Sequence, residues 1–302
     1  MAGNEINDEW NVICQSESDA SVAPRSAGCV GAMIVTSSPE VAHSVNQNNR
    51  RLPTLWASGY FEADIMDQGR RHYVNGDITL LYRQPNEMRL VAKKDIAGTI
   101  FEVGNNQQRY WLTVKGDADT MWWGSYDEDG NTTADTRKMP IQPQLLLEVL
   151  GIGVIDEDLT RQPFPVMRFN NDADAYMFVW NVRVPDRYVA QKEVWYDRKT
   201  KLPIKVLLFD PNGRVVLRAD LSKHKPVQAQ QVQGAAAAEQ PTVASLYRLY
   251  FPDSGTSMMF ELNNLELQHE MRAVKVPNDK SFAFPNEPGV DHVVQVDKQA
   301  DR

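Results

Sequence analysis

Hydrophobic and polar side chains alternate along residues 55–126, and this alternation is the most regular feature of the sequence. Because successive side chains of a β-strand point to opposite faces, it predicts a run of antiparallel strands with one apolar and one polar face. Turn-forming residues separate the strands, among them Asn75–Gly76 and Gln84–Asn86. The apolar face of the predicted sheet comprises Phe61, Ile78, Leu80, Tyr82, Met88, Leu90, Tyr110 and Leu112.

The adjacent residues Trp122 and Trp123 lie in the last strand of this run. Neighbours on a strand face opposite ways, so one indole is expected to face the interior and the other to lie on the outer face or under a loop. Strands are predicted over Leu55–Ile65, His72–Arg83, Glu87–Lys93 and Thr99–Val103, around Trp111, and over Thr120–Tyr126.

The alternation returns in the second half of the chain, where Val206 and Leu217 continue the apolar face. Asp210–Gly213 has the composition of a hairpin turn between these two strands. Phe282–Pro285 is expected to add a last short strand. Further strands are predicted over Tyr176–Val184, Ala190–Asp197, Ile204–Phe209, Val215–Leu221, Ser245–Phe251 and Met258–Leu267.

Two short helical segments are predicted to cover the apolar face. The first, Pro39–Asn49, follows a serine cap and has proline at its first helical position. Its apolar stripe is thin, so we expect it to be weakly held on the sheet. The second, Gln142–Leu150, is apolar nearly all round and contains Leu146 and Leu150, which we assign to the same apolar interior.

The domain organisation follows from where this patterning begins and ends. Residues 1–36 are rich in Ser, Ala, Asp and Asn, and we interpret them as a disordered arm or tether. Residues 37–296 are predicted to form a single domain, with a mobile Gln- and Ala-rich insertion at 223–242 and a tail at 297–302.

The composition of the chain argues against two classes of protein, those that bind nucleic acids and those that cross a membrane with helices. The 302 residues include 32 Lys and Arg against 40 Asp and Glu, giving a formal charge of −8. This balance, without a basic run, argues against a nucleic-acid partner. No apolar stretch approaches the roughly 20 residues that a membrane-spanning helix needs.

The two cysteines leave several interpretations open. Cys14 and Cys29 both lie near the N-terminus, and a disulfide between them is one alternative that their spacing does not establish. Ser26–Cys29 is similar to the end of a bacterial lipobox, which makes Cys29 a candidate for lipidation and a membrane tether. However, Ser26 stands where a hydrophobic residue is expected, and no apolar segment precedes it. A free cysteine in a disordered arm is the third alternative.

Motifs of enzyme chemistry are not apparent. The five histidines are scattered singly, and no nucleotide-binding glycine motif or nucleophile elbow is present. The acidic run Asp127–Asp129 resembles a calcium loop, but Lys138 occupies the position of its bidentate glutamate. We therefore predict no catalytic residue, no metal site, no cofactor and no enzymatic activity.

The large apolar face of the predicted sheet is the remaining indication of function. About a dozen strands share it, while two short helical segments are available to cover it. One alternative is an ordinary core, as in a sandwich. The other is a curved sheet with too little covering mass, which leaves an apolar cavity able to bind acyl chains.

Several short motifs are distributed along the predicted strands: Gly76–Ile78, Arg83–Asn86, Met88–Leu90, the Gly104 turn, the Trp122 strand, the Asn212–Gly213 hairpin, Phe282–Pro285 and Gly289–Val290. Together they resemble those of the LolA/LolB-like lipoprotein carriers of the bacterial envelope. The resemblance implies an unclosed antiparallel β-barrel, lidded by short helices around a cavity for lipoprotein acyl chains. The carriers place a lid-latching arginine directly before the strand-ending proline. Here Gln84 stands at that position and Arg83 precedes it on the opposite face, so the latch is not carried over.

The leading hypothesis is a non-enzymatic envelope protein, periplasmic or associated with the outer membrane, that holds acyl chains or lipoproteins in a half-barrel cavity. A structural or sensory envelope module with a packed interior is the first alternative. A hydrolase of lipid-like substrates on the same scaffold is the second. The fold alone does not decide between them, because one fold serves several functions.

Overall fold

The computed structural model describes residues 36–67, 70–94, 98–115, 119–126, 147–183, 186–228, 240–267, 277–285 and 289–297. From Ser37 onward the chain forms one compact unit. Cys14 and Cys29 lie outside the described residues, so the interpretations of both cysteines stay predictions.

The described residues are mainly strands. Helix α1 spans Ser38–Arg50, a helical turn covers residues 147–149, and a 3-10 helix spans Asp279–Phe282. The strands are β1 (Thr54–Asp67), β2 (Arg70–Arg83), β3 (Glu87–Lys94), β4 (Gly98–Asn105), β5 (Arg109–Val114), β6 (Thr120–Ser125), β7 (Phe164–Asn170), β8 (Ala175–Arg183), β9 (Tyr188–Asp197), β10 (Pro203–Phe209), β11 (Val215–Ser222), β12 (Lys225–Pro226), β13 (Thr242–Val243), β14 (Leu246–Phe251), β15 (Thr256–Glu266) and β16 (His292–Gln295).

Fourteen strands form one sheet in the order β16-β6-β5-β4-β3-β2-β1-β15-β14-β11-β10-β9-β8-β7, and β12 pairs with β13 separately. Consecutive hairpins build one half from β1 to β6, and the other half runs from β7 through β11 to β14 and β15. The halves meet where β1 pairs with β15. The end strands β7 and β16 are not neighbours, so the curved sheet stays unclosed. The predicted fold class, an unclosed β-barrel with few helices, is confirmed.

Three details differ from expectation. Asn75–Gly76 is not a turn but lies inside β2. The backbone at Gly76 passes so close to Lys93 that an added Cβ would lie 2.1 Å from the Lys93 carbonyl oxygen, so this strand position requires glycine. Phe282–Pro285 forms no strand, since the Asn278 side chain caps a 3-10 helix that ends at Phe282. The sheet is also not wholly antiparallel, because β16 pairs with β6 in parallel.

Four strands are not predicted by the sequence patterning. Two of them, β12 and β13, pair with each other at the two ends of residues 223–242, where a mobile insertion is predicted. Strand β7 has no clean alternation and contains Pro165, which is tolerated because β7 is an edge strand. Strand β16 lies at the predicted end of the domain, and its pairing depends on a distant partner.

One face of the sheet packs against α1 and residues 147–155, and we call it the inner face. Ile78, Leu80 and Val206 belong to it, in one buried cluster with Val41 of α1 and Ile152. Side chains of both sheet halves therefore share a continuous apolar interior. None of the described helices has the length and apolar composition that crossing a membrane requires.

Candidate functional site

The predicted site residues that the structure describes come together in one apolar cluster. Each is at most 3% exposed, so they form a close-packed interior beneath α1 and residues 147–155. Leu146 lies outside the described residues, as does Cys29. The residues brought together are Phe61, Ile78, Leu80, Tyr82, Met88, Leu90, Tyr110, Leu112, Leu150, Val206 and Leu217.

Helix α1 begins one residue earlier than predicted, at Ser38, and its N-terminal cap is Ser37 instead of Ser38. The backbone N–H and the hydroxyl of Ser37 both donate to the Glu40 carboxylate, at 2.9 and 2.8 Å. These bonds, with the backbone bond as the larger effect, hold the pKa of Glu40 below its ordinary value. Pro39 at the first turn fixes the entry of the chain into the helix.

The helix contacts the interior through amides as well as through apolar side chains. Asn46, 1% exposed, donates to the carbonyl oxygen of Ile155 and accepts from its N–H, both at 2.8 Å. Asn49, 2% exposed, donates to the Gly153 carbonyl oxygen at 2.7 Å. Helix α1 is therefore bonded directly to residues 147–155, and we call the two together the lid.

The lid is also bonded to the turn after β2 and to β13. The side chain of Gln84 donates to the backbone carbonyl oxygen of Asn49 at 2.9 Å. Asn48 exchanges two hydrogen bonds with the backbone of Thr242, at 2.8 and 2.7 Å. Gln84 therefore contacts the end of α1 from the turn that follows β2.

Arg83 faces the other way, as the alternation predicted. It pairs with Glu87 and, at 2.8 Å, with Asp279 on the outer face, and it stacks on the Phe282 ring. The bond to Glu87 is the main cause of its raised pKa. Arg83 thus holds the C-terminal segment against the outer face, on the side of the sheet opposite to α1.

The second half of the lid is anchored on the opposite half of the sheet. Lys192 on β9 donates to the Glu148 carboxylate at 2.7 Å and lies 4.8 Å from the centre of the Trp180 ring. Gly151 has φ of +68°, and an added Cβ would lie 2.7 Å from the Pro203 side chain. The lid therefore spans the inner face from β2 to β9 and β10.

The adjacent tryptophans divide between the two faces. Trp122 packs against the inner cluster, while Trp123 lies 5.3 Å from the Phe284 ring on the outer face. Phe284 also stacks against Trp111, which is fully buried. The prediction for this pair is confirmed, and the C-terminal segment covers the outer indole.

A groove of about 550 Å³ runs beside the first turns of α1. Its described lining includes Glu40, His43 and Glu157 and none of the predicted interior residues. Of the residues that line it, Ala42 also belongs to the buried apolar cluster, while Glu40 and Glu157 contribute charged side chains to its wall.

The fold and its lid define a class: an open, curved antiparallel sheet whose apolar inner face is covered by short helical elements. No protein-family model matches the sequence. No curated protein matches it either.

Several solved structures are similar to the chain. A LolA superfamily protein from Nitrosomonas europaea is 9% identical, with a TM-score of 0.47 over 83% of this chain and 99% of that one. A lipoprotein-sorting protein domain from Vibrio parahaemolyticus is 12% identical, with a TM-score of 0.43 over 78% of this chain and 94% of that one. A DUF1329 family protein from Desulfovibrio piger is 9% identical, with a TM-score of 0.45 over 81% of this chain and 98% of that one.

Proposed function

We propose that this protein is a non-enzymatic lipid- or lipoprotein-binding protein of the bacterial envelope, which takes up acyl chains between its inner face and its lid. The resemblance of its sequence motifs to the LolA/LolB-like carriers supports this proposal. The location, in the periplasm or at the outer membrane, and a tether through Cys29 belong to the same proposal.

The observation that carries the proposal is the chemistry of the lid contacts. The interior beneath the lid is apolar, whereas hydrogen bonds of Gln84 and Asn48 hold the lid to its neighbouring elements, and Asn46 joins its two halves. Each bond between the lid and a neighbouring element has a net value of about 0.5–1.5 kcal/mol, because water replaces it when the lid opens. An opened lid would then offer an apolar surface to an acyl chain, which regains about 0.8 kcal/mol for each buried CH₂.

A structural or sensory module with a packed interior is the second candidate. The close burial of the interior residues favours it, because a filled core needs no ligand. The two functions differ in one respect. A carrier must open its interior and replace contacts among its own side chains with contacts to an acyl chain, whereas a module keeps its interior filled by its own side chains.

Binding of an uncharged fluorescent probe with an acyl tail tests the proposal. We expect saturable binding of one probe per protein, and competition by unlabelled monoacylglycerol. Asn46→Ala should increase the rate of probe association, because it lets α1 separate from residues 147–155, while Asn264→Ala is the matched control. Asn264 bonds to Ser58 at 3.1 Å on an exposed part of the sheet. A wild-type protein without saturable probe binding would leave the packed-interior module as the better description.

A further inference from the structure

One end of the inner face is polar. Asn105 on β4 is paired with Tyr110 on β5, which in turn is paired with Gly124 on β6. Directly paired residues project their side chains on the same side, so Asn105 and Tyr110 share the inner face. The phenol of Tyr110 lies across Gly124, where an added Cβ would be 2.3 Å from its oxygen. Tyr126 follows two residues later, with its ring 5.3 Å from that of Tyr110.

Within the part of the chain that the structure describes, four buried oxygens at this end have no hydrogen-bond partner. They are Oδ1 of Asn86, Oδ1 of Asn105, the hydroxyl of Tyr110 and Oδ1 of Asp297. Asn105 is 1% exposed and Tyr110 is 0% exposed. We call these four residues, together with Tyr126, the polar end. An unpaired buried polar group costs about 1–3 kcal/mol, so four in one region call for an explanation.

Two of these side chains, Asn105 and Asp297, are held in place by their other polar atom. The amide nitrogen of Asn105 donates to the backbone carbonyl oxygen of Asn86. The second carboxylate oxygen of Asp297 accepts from the Ser125 N–H at 2.9 Å. Asn105 and Asp297 therefore each combine a fixed orientation with one free oxygen, which is the arrangement of a preformed acceptor site.

The unpaired atoms of the polar end are all oxygens, which determines the chemistry of a partner. Burial, and secondarily the nearby Asp297 carboxylate, raises the pKa of Tyr110 to about 12. Its hydroxyl therefore keeps its proton at physiological pH and offers an acceptor and a donor. Groups with O–H or N–H suit such a site, whereas a carboxylate or phosphate would face the Asp297 charge and the amide oxygens.

The polar end adjoins both the apolar interior and the lid. Met88, one of the interior residues, is paired directly with Asn105. Asn86 lies in the same turn as Gln84, whose side chain holds the end of α1. An acyl chain lying beneath the lid would thus place its headgroup beside the unpaired oxygens.

We propose that the polar end binds the uncharged, donor-bearing headgroup of an acylated ligand, such as a glycerol hydroxyl or an amide, and discriminates against anionic headgroups. This inference rests on the proposed function, because the acyl chain must enter beneath the lid for its headgroup to reach Asn105, Tyr110 and Asp297.

Competition between headgroups tests it. A monoacylglycerol and a fatty acid of the same tail displace the uncharged acyl probe from the full chain at a pH of about 8, where the fatty acid is ionised. We expect the monoacylglycerol to bind about tenfold or more tighter, because a single hydrogen bond to a charged group is strong enough to change the affinity by that factor. Asp297→Asn, which can turn an amide N–H toward an anion, should lower this ratio severalfold.

Asp291→Asn is the matched control. Asp291 accepts from the Asp119 N–H at 3.1 Å, at the other end of β6, and so repeats the Asp297 contact away from the polar end. Tyr110→Phe is the second variant, and it should also reduce the ratio, without lowering the melting temperature, because it removes an unpaired hydroxyl.

The outcomes separate the two proposals. Probe binding with equal competition by both lipids, or an equal ratio in Asp297→Asn and Asp291→Asn, overturns the headgroup assignment and leaves the acyl-binding function standing. Absence of probe binding overturns both.

Discussion

Asn46 and Ile155 form a reciprocal pair of hydrogen bonds, each 2.8 Å long, between a side chain of α1 and the backbone of the second half of the lid. The amide of Asn46 takes the place of a neighbouring strand for this stretch of backbone. Both backbone groups of Ile155 would be unpaired without it.

Replacing Asn46 therefore has a defined cost. We expect Asn46→Ala to lower the free energy of unfolding by about 1–3 kcal/mol, because two backbone groups lose their partner. Urea unfolding measures this change, and hydrogen exchange at the Ile155 amide should quicken. Asn264→Ala, at an exposed hydrogen bond, should lower stability by less than about 0.5 kcal/mol. Equal effects of the two substitutions would contradict the role given to Asn46.

Gln84 holds the end of α1, so its removal should change lid dynamics more than stability. We expect Gln84→Leu to speed association of the uncharged acyl probe severalfold, with a stability loss of about 1 kcal/mol. Stopped-flow fluorescence measures the rate. Gln47→Leu is the control, since the Gln47 side chain bonds to the exposed His43 of its own helix. An unchanged rate in Gln84→Leu would show that this contact does not gate the interior.

Gly151 and Gly153 form a contrasting pair in the second half of the lid. Gly151 has φ of +68° and no room for a Cβ beside Pro203, whereas a Cβ at Gly153 meets nothing within 4 Å. We expect Gly151→Ala to destabilise the protein by more than about 1 kcal/mol and Gly153→Ala to be nearly neutral. Thermal unfolding of the two variants checks the contrast, and equal melting temperatures would argue against this packing of residue 151.

His224 gives the stability a pH dependence. Its pKa lies below the ordinary value of 6.5, mainly because of burial, and it contacts the Pro203 carbonyl oxygen at 2.8 Å. The unfolded chain therefore binds a proton at a higher pH than the folded one. Stability should fall as the pH drops below 6.5, until the folded histidine is protonated too. His224→Gln should flatten this part of the stability curve, measured by urea unfolding at several pH values; an unchanged slope would contradict the assignment.

The sheet could be predicted in large part from the sequence, because its evidence is local. Alternation at Ile78, Leu80 and Tyr82 reports directly which side chains are buried. The parallel pairing of β16 with β6 could not be predicted, since it joins residues 172 positions apart, such as Ser125 and Asp297. Neither local turn chemistry nor periodicity carries information on such a pairing.

The lid and the polar end show a different limit. On the helix, Asn46 and Asn49 look like solvent-facing positions, and the thin apolar stripe suggests weak docking. Their backbone partners, such as Ile155, lie more than 100 residues away and leave no trace near the helix. Tyr110 is predicted to lie on the apolar face, and correctly so for its ring. Only the register with Gly124 reveals that its hydroxyl is buried without a partner among the described residues.

The parallel strand β16 also has a consequence for biosynthesis. Because the ribosome makes β6 long before β16, the outer edge of β6 stays open until the last part of the sheet has been synthesised. An open edge is a template for pairing with other chains, so this edge is where a nascent polypeptide would be most exposed to misassembly. Holdase chaperones that shield extended segments would be needed most during that interval.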